Sequence, residues 1–183
     1  MSGRIWTVPN QITLLRLGFL PGFLILIFYE RYGWALGVLV LAALSDGIDG
    51  LLARRLNQKS ELGAYLDPIA DKLMLSSSFV ILAFKHKIAW WLTILILSRD
   101  VLMLMVAAVI ILISGYRPFP PSLYGKLTTM FQILLVFTVV AAAAFSAPWL
   151  HALIRPLLYV VAGFTVLSGF HYSVVIARRL LAP

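Results

Sequence analysis

Cysteine is absent from the 183 residues, which excludes disulfides and thiolate metal sites and removes any reading of redox compartment. Charge is scarce as well. Only 12% of the residues are charged, whereas 62% are hydrophobic, far more apolar surface than one soluble core of this length can bury. The expected fold is therefore an all-α integral membrane protein with one domain, residues 1–183. Negative charge is scarcest: seven Asp and Glu stand against fifteen Lys and Arg, a net charge of +8. Such a surplus can indicate nucleic acid, but here the basic residues lie in short segments beside apolar runs. Attraction to anionic lipid headgroups is the expected consequence, with no nucleic-acid partner.

Runs long enough to cross about 30 Å of hydrocarbon predict six transmembrane helices at 12–29, 33–54, 65–84, 88–114, 126–146 and 152–177. No small-x-small cleavage site follows the first run, so it reads as an uncleaved span preceded by an interfacial segment anchored by Trp6. There is no internal repeat, and the Pro-rich stretch from Arg117 to Ser122 is the one long connector. Loop charge predicts orientation. Arg4, Arg54, Arg55, Lys59, Arg117, Lys126, Arg178 and Arg179 fall on one side, and Arg31, Lys85, Lys87 and Arg155 on the other. The positive-inside rule then puts both termini at the cytoplasmic face, and a multi-pass protein of the bacterial inner membrane is expected.

Against that scarcity of acid, Asp46, Asp49, Asp67 and Asp71 stand within twenty-six positions, at the expected cytoplasmic junction of the second and third helices. A charge near the bilayer centre costs roughly 2.5 to 3.5 kcal/mol on insertion scales, and like charges also repel. Divalent metal is the most economical source of compensation. Asp46, Asp49 and Ala53 share one face of a helix with Gly50 close to it, and Asp67 and Asp71 share a face of the next. Gly50 and Gly63 leave room for a ligand or a neighbouring backbone. An all-carboxylate set favours Mg²⁺ or Mn²⁺ over zinc or copper. Four such ligands suit two ions that clamp the attacking and leaving oxygens of a phosphoryl displacement. Arg54 is placed to meet a phosphate with its guanidinium.

Other features have plainer explanations. Asp67–Pro68 by itself reads as a helix start, with an N-cap acceptor followed by proline. His86, His151 and His171 lack ligand spacing and read as loop or interface residues. Arg99–Asp100, well inside the fourth span, reads equally as an ion pair or a substrate contact. The Gly18-x-x-x-Gly22 and Gly33-x-x-x-Gly37 pairs fit close helix packing.

The string Asp46-x-x-Asp49-Gly50-x-x-Ala53-Arg54-x₈-Gly63-x-x-x-Asp67-x-x-x-Asp71 resembles the signature of the CDP-alcohol phosphatidyltransferases without gap or substitution. Val8-Pro9-Asn10-x-x-Thr13-x-x-Arg16, Ser98-Arg99-Asp100 and Gly125-Lys126-x-Thr128 lie in stretches that resemble further elements of that family. The resemblance implies a six-helix membrane fold, a homodimer, and two divalent cations on the pyrophosphate of CDP-diacylglycerol. It implies metal ligation by Asp46, Asp49, Asp67 and Asp71. Gly50, Ala53, Arg54 and Gly63 would then lie around the CDP-lipid, with Thr13 from the N-terminal segment. Asp71 would be the general base that activates the acceptor alcohol, and its place inside the third helix, away from water, suits a base of raised pKa.

Two acceptors compete. Glycerol 3-phosphate, giving phosphatidylglycerol phosphate, is the expectation adopted, because Arg99, Arg117 and Lys126 offer a basic pocket for a dianion. The alternative is phosphatidylglycerol, giving cardiolipin, since the Trp6-to-Asn10 opening and Ser98-Arg99-Asp100-Val101 resemble CMP-forming cardiolipin synthases. A cation transporter is a remote third reading, because its charges would sit at the midplane of several helices or in inverted repeats.

Overall fold

The computed structural model describes residues 8–56, 61–114 and 123–180, and side chains within 17–45, 70–105 and 123–172. Among the described residues there are six helices and no strand: α1 (Val8–Phe28), α2 (Tyr32–Leu56), α3 (Glu61–Phe84), α4 (Trp90–Ser114), α5 (Leu123–Phe145) and α6 (Pro148–Leu180). Each expected run is helical, but the ends differ. α1 starts earlier than expected because Pro9, its second residue, lacks only an N–H that a first helical turn leaves unpaired anyway. For the same reason α6 opens on Pro148 and takes in His151, whose ring Nδ1 lies 3.1 Å from the Ala147 carbonyl. α3 begins at Glu61, where an acidic residue complements the positive end of the helix dipole. Asp67–Pro68 therefore lies inside the helix and is not its start.

Three helices end in the same way without glycine. Glu30, His86 and Ser146 take positive φ of 59°, 55° and 51°, the left-handed conformation that turns the chain out of a helix. After α1, Arg31 N–H reaches the Leu26 carbonyl at 2.8 Å and Glu30 N–H the Ile27 carbonyl at 3.0 Å. After α3, Lys87 and His86 repeat the pair on Leu82 and Ala83. After α5 a single bond runs from Ser146 N–H to the Ala142 carbonyl, 2.9 Å. These turns meet at one end of the bundle. Lys85 donates to Glu30 at 2.9 Å across two of them, and Leu36, near the start of α2, and Ala147 of the third pack on one cluster of Ala141, Ala142 and Leu150.

α1 packs on α2 and α3, α5 on α2, α3 and α6, and α4 on α3 and α6. Phe23, Ile27, Phe79, Leu82, Leu92, Leu135, Val139 and Val161 fill the core, and Ala35, Ala42 and Ala142 let backbones approach. The glycine pairs do not serve that purpose: a Cβ at Gly18, Gly22, Gly33 or Gly37 would meet nothing within 4 Å. Alanine supplies the small residues of the seams instead.

Large apolar side chains such as Ile94, Leu104, Phe137 and Phe170 face outward, the pattern of a surface made for lipid. Several Ser and Thr hydroxyls are satisfied within the bundle, as hydrocarbon favours. Ser78, Thr138 and Thr165 donate to carbonyls four residues back, and Thr128 also reaches the Phe164 carbonyl of α6 at 3.1 Å. Trp34, Trp90, Trp91 and Trp149 are all exposed near the starts of α2, α4 and α6, forming an aromatic belt at the end that carries the three turns. Among the described residues, Leu123–Phe145 and Pro148–Tyr172 are long and apolar enough to cross a membrane, and Leu17–Phe28 and Tyr32–Ser45 are shorter apolar stretches.

Candidate active site

The end opposite the tryptophan belt holds the aspartate motif. α1 and α3 run parallel, since the turns that follow them are joined by Glu30 and Lys85, and α2, packed on α1, runs back along it. Asp46 is ten residues before the end of α2 at Leu56 and Asp71 ten residues after the start of α3 at Glu61. At 1.5 Å per residue both lie about 15 Å from those ends. Asp49 and Asp67, seven residues before and six after the same ends, form a second level nearer the surface. By count along the helices, Asp46 and Asp71 stand at one distance from the α2–α3 junction, and Asp49 and Asp67 at a shorter one. The side chains of Asp46, Asp49, Asp67, Gly50, Ala53, Arg54, Gly63 and Thr13 lie outside the described residues, and so does all of Arg117.

Asp71 is described, and it lines a cavity of about 370 Å³ between α2, α3 and α5. Leu39, Ala42 and Ala43 form the α2 wall, one turn from Asp46. Met74, Leu75, Ile133 and Val136 make the rest largely apolar, with the hydroxyl side chains of Ser78 and Thr129 among them. The charged residues in the lining are Asp71 and Lys72. Asp71 is exposed, so protein packing does not supply the shielding from water that the sequence led us to expect. The cavity is where a reacting hydroxyl can reach it.

Arg99 is not in that lining. It is buried on α4, where Nη1 donates to Asp100 Oδ1 at 2.8 Å and Nη2 to the Ser168 hydroxyl of α6 at 2.6 Å. Lys72 Nζ donates to the same Asp100 oxygen at 2.6 Å. Three helices are tied by one chain of charge-assisted bonds. Lys126 is exposed on α5, also outside the cavity lining. Of the three cations expected to gather around an acceptor, Arg99 and Lys126 do not line this cavity and Arg117 lies outside the described residues. Sequence reasoning missed Lys72. Its signal was a lysine directly after Asp71 in an otherwise apolar run, 28 residues before an aspartate in the next span.

Residues 6–175 match the family model of the CDP-alcohol phosphatidyltransferases. The chain belongs to this family. Among its relatives is a cardiolipin synthase (CMP-forming) of Streptomyces coelicolor, 38% identical over 191 residues that cover 99% of this chain and 87% of that protein. A human protein of the same name is 33% identical over 190 residues, 92% of this chain, which spans 62% of the human length. A probable phosphatidylglycerophosphate synthase of Mycobacterium tuberculosis is 34% identical over 185 residues, covering 97% of this chain and 83% of the relative. The protein is thus a phosphatidyltransferase of phospholipid biosynthesis. Its relatives carry both product names, so the acceptor must be argued from the site.

CDP-alcohol phosphatidyltransferases are membrane-associated and generally depend on divalent cations. Among the described residues no group of three or more His, Asp or Glu is assembled for a metal, because Asp71 is the one motif carboxylate whose side chain is described. The donors of the sequence motif are all carboxylate oxygens, the chemistry that suits hard cations, and Asp71 lines the cavity.

Proposed function

We propose that this CDP-alcohol phosphatidyltransferase moves the phosphatidyl group of CDP-diacylglycerol to a hydroxyl of phosphatidylglycerol, releasing CMP and forming cardiolipin. One observation supports this acceptor above glycerol 3-phosphate. The cavity at Asp71 is mostly apolar, and Arg99, on which a dianionic acceptor was to depend, is held by Asp100 and Ser168 away from it. An acceptor that is already a membrane lipid needs fewer cations, since the bilayer concentrates it and its headgroup carries one negative charge. The relatives from Streptomyces coelicolor and human are named for that product. Glycerol 3-phosphate is the second reading, supported by the Mycobacterium tuberculosis relative's name and by exposed Lys126.

In this mechanism Asp46, Asp49, Asp67 and Asp71 would hold two Mg²⁺ or Mn²⁺ ions, which would supply charge neutralisation for the pyrophosphate and for departing CMP. Gly50, Ala53, Arg54, Gly63 and Thr13 surround the cytidine diphosphate, and Arg54 offers its guanidinium to phosphate. Asp71 accepts the proton of the acceptor hydroxyl. The freed oxygen bonds to the phosphorus that bears diacylglycerol, the bond from that phosphorus to CMP breaks, and CMP leaves with the electron pair. The enzyme acts as a homodimer in the bacterial inner membrane, with six spans and the motif at the cytoplasmic face. The loop-charge bias supports that orientation.

Release of CMP from CDP-diacylglycerol by the purified protein tests this. CMP should appear only when acceptor and Mg²⁺ or Mn²⁺ are both present, stop on chelation and resume on adding either ion. Full turnover in chelator would remove the metal from the mechanism.

A further inference from the structure

The chain Lys72–Asp100–Arg99–Ser168 is not needed by any step above, yet it ends on the wall of the reaction cavity. Two cations share one carboxylate oxygen, Asp100 Oδ1, at 2.6 and 2.8 Å, so the group carries one positive charge in excess. The excess is not evenly accessible. The Arg99 side chain is 6% exposed and has a second partner in Ser168, whereas that of Lys72 is 36% exposed and lines the cavity beside Asp71. An ammonium has three donors, and the bond to Asp100 uses one. The lining also holds the Asp71 carboxylate, which the metal ions of the proposed mechanism would neutralise, and the Lys72 ammonium is then, among the described residues, the one cation in a mostly apolar lining to attract an anion.

We propose that Lys72 binds the phosphate of the acceptor and sets its hydroxyl against Asp71, with Asp100, Arg99 and Ser168 as positioning residues that hold the ammonium on the wall. The proposal rests on the acceptor being a phosphate-bearing alcohol, a chemistry that phosphatidylglycerol and glycerol 3-phosphate share. Asp100 anchors Lys72 from α4, and the Arg99 guanidinium behind it, fixed to α6, keeps that carboxylate in place. The adjacency of Lys72 to Asp71 in α3 then couples where the phosphate sits to where the proton is taken.

The test is steady-state kinetics of Lys72→Met, Lys72→Arg and Asp100→Asn with phosphatidylglycerol and with glycerol 3-phosphate. Losing a charge-assisted contact should raise the acceptor KM of Lys72→Met roughly tenfold or more, with the KM for CDP-diacylglycerol within about twofold. Lys72→Arg should recover most of the loss, and Asp100→Asn should also raise the acceptor KM. An unchanged acceptor KM in Lys72→Met, or an equal rise for CDP-diacylglycerol, overturns the proposal; the latter is what a merely structural tie between α3 and α4 would give. Wild-type protein provides a measurement that no folding defect can obscure. Phosphatidylmethanol or propyl phosphate, which carry the phosphate but no acceptor hydroxyl, should compete with the acceptor and not with CDP-diacylglycerol, and failure of both to compete overturns the proposal. Wild-type protein that uses only glycerol 3-phosphate contradicts the lipid acceptor proposed above, while the Lys72 effect must then appear on the glycerol 3-phosphate KM.

Discussion

Asp71 and Lys72 are neighbours in sequence and on the cavity wall, and their chemistry separates cleanly by substitution. Asp71→Asn keeps the size of the side chain and one coordinating oxygen while removing proton acceptance. Turnover should fall about 10²- to 10⁴-fold, with CDP-lipid binding better preserved; binding lost as fully as rate would make metal ligation the main task of Asp71. A different carboxylate illustrates pH dependence. At the turn after α1, the hydrogen bond and charge of Lys85 hold the Glu30 carboxyl below the ordinary carboxylate range. A folded-state pKa that is lowered contributes stability above the unfolded-state value and loses it as pH falls through the folded one. Thermal melts of wild type and Glu30→Gln should therefore differ near neutrality and converge as the medium is acidified below the carboxylate range. A difference that persists in acid would assign the effect to something other than this pair. Glu30 is exposed, so the difference is small.

At the scale of the helix, the six runs were legible because length and hydropathy alone determine them, and the ends were not. Pro9, Pro148 and Asp67–Pro68 each look like a boundary, yet the first two lie in opening turns and the third lies inside α3. The turns were hidden for a related reason. A chain that leaves a helix through a left-handed residue signals it with glycine, and here Glu30, His86 and Ser146 do the work instead. Their conformation costs about 1 kcal/mol relative to glycine. Ser146→Gly, at a turn held by one backbone bond, should raise thermal stability by a fraction of that, read by melting in detergent. A lowered melting temperature would show that the Ser146 side chain supports the turn.

For the molecule as a whole, the aspartate motif was legible because four like charges in an apolar chain have no cheap structural purpose, and the equal count of Asp46 and Asp71 from the α2–α3 junction reflects its spacing. The acceptor side was not. Arg99 and Lys126 looked like a basic pocket in sequence, but partnership across helices decides which cation lines the cavity, and position along the chain alone does not fix that Lys72 pairs with Asp100 28 residues away. That rearrangement of charge is what turns the reading from a soluble dianion towards a lipid acceptor. The most direct test reconstitutes the purified protein in vesicles with CDP-diacylglycerol, Mg²⁺ and both candidates together, phosphatidylglycerol and glycerol 3-phosphate, each with a distinguishable isotope. Mass spectrometry of the lipids should find the phosphatidylglycerol label in cardiolipin, formed in step with CMP. Phosphatidylglycerol phosphate carrying the glycerol 3-phosphate label, with no labelled cardiolipin, would contradict the proposed acceptor.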